Sequence, residues 1–209
     1  MKMKVIFLLF FLLARSIVFS QEAIPKEISK AANSGYHEYL EKIPQGRESL
    51  YGFKNRDEFS LAKIGKPYQI FLLTKEFYTI PIINNDNYIV ASDEWRVAVT
   101  VNNEYRAMVT VAKMNGIWEV VGIGAAGLAS DLGVFEKQHP SQVQYGRILR
   151  VLQLDCEFLL TKSESVQPNF KTWFLRSADI AFDQSQDNNT SYSLEQVLLM
   201  VKDKLGNTK

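Results

Sequence analysis

The chain has 209 residues, 46% of them hydrophobic, with 24 Lys+Arg against 23 Asp+Glu and a formal net charge of +1. That length suffices for one domain or two small lobes with a sizeable core, and the charge balance gives no electrostatic basis for nucleic acid or an anionic lipid surface as a partner. Cys156 is the single cysteine, which excludes an internal disulfide.

Lys2 and Lys4 precede an apolar run from Val5 to Ala14, broken by Arg15 and resumed at Ile17-Val18-Phe19-Ser20. A basic start, about ten apolar residues and a small residue at the end predict a secretory signal peptide over residues 1–20, cut after Ser20. Arg15 leaves no uninterrupted span of about 20 apolar residues of the kind a membrane anchor needs. Residues 1–20 hold three bases and no acid, so the remaining chain carries 21 basic and 23 acidic residues, a net charge of −2. The expectation is a secreted or periplasmic protein, free of the membrane after cleavage. Residues 21–209 then form a single α+β domain, divisible into sub-lobes 21–138 and 141–209.

Residues 24–43 place Ile24, Ile28, Ala31, Ala32, Tyr39, Leu40 and Ile43 at helical spacing. Pro25 suits the first turn, Gly35 weakens the middle and Pro44 ends the helix. A short helix over 57–64 is predicted with Asp57 as N-cap. Tyr68–Thr74 reads as a strand. Phe77–Ile83 reads as an edge strand limited by Pro81, and 84–87 as a turn.

A three-stranded meander is predicted over 94–101, 105–113 and 117–124. Trp95, Val97, Val99 and Val101 share one face, as do Tyr105, Ala107, Val109 and Val111. Matching those faces pairs 101 with 105 and leaves a three-residue loop at 102–104, because a two-residue loop would set Val99 against Arg106. Asn115-Gly116 makes the next turn, with Val111 opposite Val120. Beyond it, 125–137 reads as a helix, 146–160 as one long strand and 170–182 as a buried strand. Ser193 and Gln196 form a capping box for a C-terminal helix with the stripe Leu194, Val197, Leu198, Val201 and Leu205. The fold class is α+β: a mostly antiparallel twisted sheet with helices packed on one face.

Gly122-Ile-Gly124-Ala-Ala-Gly127 fits G-x-G-x-x-G, the pattern of dinucleotide-binding turns. The strand before it closes an antiparallel meander, and no acid stands about 20 residues on to hold a ribose. In the predicted register Gly122 and Gly124 face the same way as Val99 and Ala107. The four make a shallow trough of small side chains, which either admits a helix or holds a ligand. No cofactor is expected.

Cys156 lies between Leu154 and Phe158 on an apolar face and reads as a buried, inert thiol rather than a nucleophile served by His37 or His139. His139, before Pro140, is expected to face solvent. Two histidines give no zinc-ligand spacing. Residues 183–195 match a calcium loop at Asp183, Ser185 and Asp187, yet Leu194 stands where a bidentate Glu belongs. The acid pairs Asp93/Glu94 and Asp155/Glu157 read as solvated strand ends. Trp95, Trp118 and Trp173 read as core rather than a sugar-binding face.

No catalytic set or metal site emerges. The function these observations favour is an exported, non-enzymatic binding or interaction protein that takes a protein or small ligand. The alternative is a small extracytoplasmic hydrolase with scattered catalytic residues. An apolar groove without a poised titrating group separates the first from the second.

Overall fold

The computed structural model describes residues 25–79, 88–141, 146–162, 170–183 and 190–207. The predicted signal peptide, the predicted turn at 84–87 and residues 184–189 of the stretch compared with a calcium loop lie outside the described residues. The protein is α+β. Eight strands form one open sheet: β1 (Lys63–Leu73), β2 (Ile89–Val101), β3 (Glu104–Met114), β4 (Ile117–Gly124), β5 (Arg147–Val151), β6 (Cys156–Lys162), β7 (Phe170–Phe174) and β8 (Ser191–Ser193). Their order is β4-β3-β2-β1-β5-β6-β7-β8. Only β1 and β5 pair in parallel; every other neighbouring pair is antiparallel.

Helices cover both faces of this sheet, not one. On the first face, α1 (Lys26–Glu41) lays Ile28, Ala32, Tyr36 and Leu40 over Trp95, Val97, Val99, Ala107, Val109 and Val120. Farther along that face, α5 (Leu194–Asn207) places Leu194, Val197, Leu198 and Val201 on Leu149, Phe158 and Leu160. The opposite face receives α3 (Ala126–Gln138), whose Leu128, Ala129, Leu132 and Phe135 pack on Tyr68, Ala98, Met108, Ile148 and Trp173. The alternation of side chains along β2 explains the split: Val97 and Val99 face α1, and Ala98 between them faces α3.

The β2–β3 turn differs from the sequence expectation in an instructive way. The loop has two residues, Asn102 and Asn103, both at positive φ (51° and 63°), a conformation asparagine tolerates. Val99 nevertheless pairs with Ala107, because a β-bulge at Arg106 absorbs the offset. The bulge frees Arg106 to turn to Glu58, with Nη2 donating to Oε1 at 2.9 Å and Nε to Oε2 at 3.2 Å, while Nη1 donates to Glu104 at 2.8 Å. Two-residue loop and apolar register are thus reconciled by one extra residue.

Four further expectations are corrected. Residues 146–160 are not one strand but the β5–β6 hairpin, turned through a 3-10 segment at Leu152–Leu154 and Asp155 at φ 48°. Residues 170–182 divide into β7 and α4 (Arg176–Phe182), whose first N–H is accepted by Asp131 Oδ2 at 2.8 Å. Residues 77–79, expected to open an edge strand over 77–83, belong instead to a short helix, α2 (Lys75–Thr79), and 80–83 lie outside the described residues. The predicted helix at 57–64 is a 3-10 turn over Arg56–Leu61, capped by Asn55 rather than Asp57. At the C-terminal helix, Ser193 N–H donates to Gln196 Oε1 at 2.8 Å and Gln196 N–H to Ser193 Oγ at 3.1 Å, a complete capping box.

Candidate functional site

The four trough residues do not share a face. Val99 and Ala107 are fully buried beneath α1. A second bulge, at Val121, shifts the β3–β4 register so that Gly122 pairs with Thr110 and Gly124 with Met108. Met108 and Thr110 point away from α1, and the glycines go with them. A Cβ on Gly124 would meet nothing within 4 Å, and the same holds for Gly127. β4 is antiparallel to β3, so the glycine run lies in an antiparallel strand and the helix after it.

The close helix–sheet approach belongs to a different glycine. A Cβ on Gly35 would stand 2.8 Å from Val120 Cγ2. Gly35 therefore lets α1 settle onto β4, and beside that contact the two elements leave a groove of about 510 Å³. Glu27, Lys30, Ala31, Ser34, Glu38 and Tyr39 form its helix wall. Gly116, Ile117, Trp118, Glu119 and Val120 form its strand wall. β4 begins sharply because Asn115 and Gly116 both take positive φ (52° and 84°). It is an edge strand of the sheet, and Ile117 (69%) and Val121 (39%) leave large apolar side chains exposed along it. Of the three tryptophans only Trp118 lines the groove; Trp95 and Trp173 are buried.

A smaller pocket of about 230 Å³ opens between the β2–β3 turn and α3, lined by Tyr105, Ser130, Gly133 and Glu136 among others. Tyr105 donates to Glu136, which also binds Lys66, and Tyr68 Oη stands 3.4 Å from Tyr105 Oη. Burial holds the Tyr105 hydroxyl above its ordinary pKa, and the Tyr68 and Glu136 groups push it the same way. Burial does the same for Tyr68. Both phenols stay protonated at neutral pH, Tyr105 holding Glu136 and Tyr68 standing against Tyr105, so neither is a poised acid or base.

On the face shared with α3, charges from three strands interlock. Arg150 Nε donates to Glu157 Oε1 at 2.9 Å and Nη1 to Glu94 Oε1 at 3.0 Å. Arg96 Nη2 lies 3.5 Å from the same Glu94 oxygen, and its Nη1 donates to Thr110. Burial and then the nearby Arg150 charge lower the pKa of Arg96. Two guanidiniums and two carboxylates balance, which makes this a neutral brace across β2, β5 and β6. Glu94 and Glu157, expected as solvated strand ends, are both tied into it.

Cys156 opens β6 fully buried. Burial first, then the Glu157 and Asp155 charges, push its thiol up to about 12, the reverse of what a nucleophile needs. His37 is exposed on α1, far from Cys156 in the fold. His139 does not face solvent freely; its ring lies between Phe135 and Trp173, with centroids 4.6 and 4.9 Å away. Among the described residues no three His, Cys, Asp or Glu side chains converge as metal ligands, and no helix is long and apolar enough to cross a membrane.

The sequence signal for the groove was present but unassigned. Gly35 in a helix and exposed Ile117 both mark it, yet only the strand order shows that β4 is an edge. Comparisons with protein families, with curated proteins and with solved structures found no match.

Proposed function

We propose that the protein is an exported, non-enzymatic binding module, cut after Ser20, and that the groove between α1 and β4 is its binding surface. One observation supports this most: the groove between α1 and β4 has aromatic and apolar lining from Tyr39, Ala31, Trp118 and Val120, with no nucleophile–base pair in it. The polar pocket beside Tyr105 lacks a poised titrating group, which weakens the hydrolase reading.

Benzoylphenylalanine at Lys30, an exposed groove position, tests the proposal in the native host. The expected result is a discrete crosslinked adduct in the extracytoplasmic fraction, absent when the probe replaces Asp203 on exposed α5. N-terminal sequencing of the same material is expected to begin at Gln21. Turnover of an ester, phosphate or peptide substrate that disappears in Glu136→Gln would overturn the binding reading in favour of a hydrolase.

A further inference from the structure

We infer that the α1–β4 groove takes an extended peptide segment of another protein, which adds to the free edge of β4 and carries at least one Lys or Arg. This rests on the binding-module proposal and names what the module binds.

The sheet edge comes first. Within the described residues β4 has no neighbour beyond β3, so alternate residues turn their N–H and C=O groups outward. The other edge, β8, has only three residues, too short to template a strand. The bulge at Val121 interrupts regular pairing along β4 and confines a clean edge to Ile117–Val120. Those four residues are the ones that line the groove. Edge and groove therefore coincide, and a strand added there lays every second side chain against α1.

The helix wall fits such side chains. Ala31, Ser34 and Gly35 keep its centre low, with Glu27 and Tyr39 at the two ends. The thirteen helical residues from Glu27 to Tyr39 span about 18 Å, the length of roughly five or six extended residues.

Charge selects among partners. The lining carries Glu27, Glu38 and Glu119 against the single base Lys30. Glu38 is answered by Lys42 at 2.7 Å, whereas Glu27 and Glu119 form no ion pair among the described residues. Lys113 lies over the Trp118 ring at 5.9 Å, from the neighbouring strand β3 rather than the open edge. A basic side chain of an added strand meets Glu27 where it faces α1, or Glu119 as its cross-strand neighbour where it faces the other way, since Trp118 and Val120 take the α1 side of β4. A second copy of the same edge brings Glu119 towards Glu119 instead, which disfavours self-pairing.

The test is selection of a displayed random heptapeptide library on the mature chain. Enriched peptides are expected to alternate apolar residues with Lys or Arg and to slow amide exchange at Ile117–Val120. Ser34→Trp fills the groove from an exposed position, and Glu27→Lys with Glu119→Lys reverses its charge. Each is expected to weaken the selected peptides about tenfold or more by fluorescence anisotropy, with an unchanged thermal midpoint. Peptides bound equally by Ser34→Trp would overturn this site while leaving a binding module with its surface elsewhere. No enrichment, or enrichment of acidic peptides, would overturn the occupant. A dimer in sedimentation that Ser34→Trp dissolves would replace it with a second copy. Hydrolysis of the selected peptides would overturn the binding-module proposal itself.

Discussion

Gly35 of α1 and Val120 of β4 set how closely helix and sheet approach: a Cβ on Gly35 would lie 2.8 Å from Val120 Cγ2 and 2.9 Å from Val120 Cβ. Alanine gains about 1 kcal/mol over glycine in a helix interior, but overpacking costs about 1–3 kcal/mol. Gly35→Ala is therefore expected to destabilise, or at best break even, in urea unfolding. In a Val120→Ala background the contact to Cγ2 is removed while the 2.9 Å contact to Cβ stays, so the same change is expected to cost less than in the wild type. A double-mutant cycle without coupling between the two sites would refute this contact.

Gly124→Val is expected to shift stability by no more than about 0.5 kcal/mol, since a side chain there meets nothing within 4 Å and valine suits a strand. This reverses the consequence of the trough, in which any side chain at Gly124 collides with a helix. The strained position next door is Ala125, at φ 52°. Ala125→Gly relieves roughly 1–2 kcal/mol of left-handed strain and gives back about 0.4–1 kcal/mol in chain entropy, for a small net gain. Thermal melts of both variants check the pair.

The Cys156 thiol is expected to resist a thiol reagent in the native protein and to react only on unfolding. Its labelling rate then rises with denaturant in step with the unfolding transition. Cys156→Ser places an unpartnered hydroxyl in the core and is expected to cost about 1–3 kcal/mol, whereas Cys156→Ala leaves binding intact. Rapid labelling of folded protein would contradict the burial.

Two acids give opposite pH signatures. Burial pushes the Glu58 carboxyl up, but the Arg106 guanidinium and the Lys54 N–H outweigh it and hold it below its ordinary value. Its stabilisation is full above the unfolded pKa of about 4.3 and is lost as pH falls through the lower folded value. Glu58→Gln is thus expected to destabilise most near neutrality and progressively less in acid. Burial, and then the Asp131 charge, raise the Asp179 carboxyl. Its contribution is most favourable below about pH 4 and declines as pH rises through the folded value. Asp179→Asn is expected to raise the urea midpoint at pH 7 and to lose that gain below about pH 4. Urea titrations of both variants from acid to neutral pH read the two slopes.

How much was legible depended on whether an element carried its own punctuation. Ser193 and Gln196 announce the last helix because both partners of the capping box are local. The β5–β6 turn was hidden because Leu152-Gln153-Leu154 holds neither Gly nor Pro, and Asp155 takes the left-handed position unadvertised. α4 was hidden because Ala178, Ile180 and Phe182 fall at every second position and so continue the apolar run of β7 as a strand would. The misplaced trough has one cause: the extra residue at Val121, which inverts every later side chain of β4. Gly35 was read as a weakness in a helix because its reason, Val120, lies 85 positions away in the chain. The groove was out of reach for the same reason, since an edge is a property of the assembled sheet.

The parallel seam between β1 and β5 has a kinetic consequence. Gln69 pairs with Arg147 across roughly 80 residues of intervening chain, whereas most other strand pairs join sequence neighbours. The hairpins on either side can close early, and the seam, with the highest loop-closure cost, closes late. Until it does, β1 and β5 each expose a long apolar flank, Tyr68 and Ile70 on one and Ile148 and Leu149 on the other. Two half-formed chains can satisfy those flanks on each other as readily as one chain can on itself. Recovery from denaturant therefore becomes a contest between first-order and second-order steps, and dilution decides it.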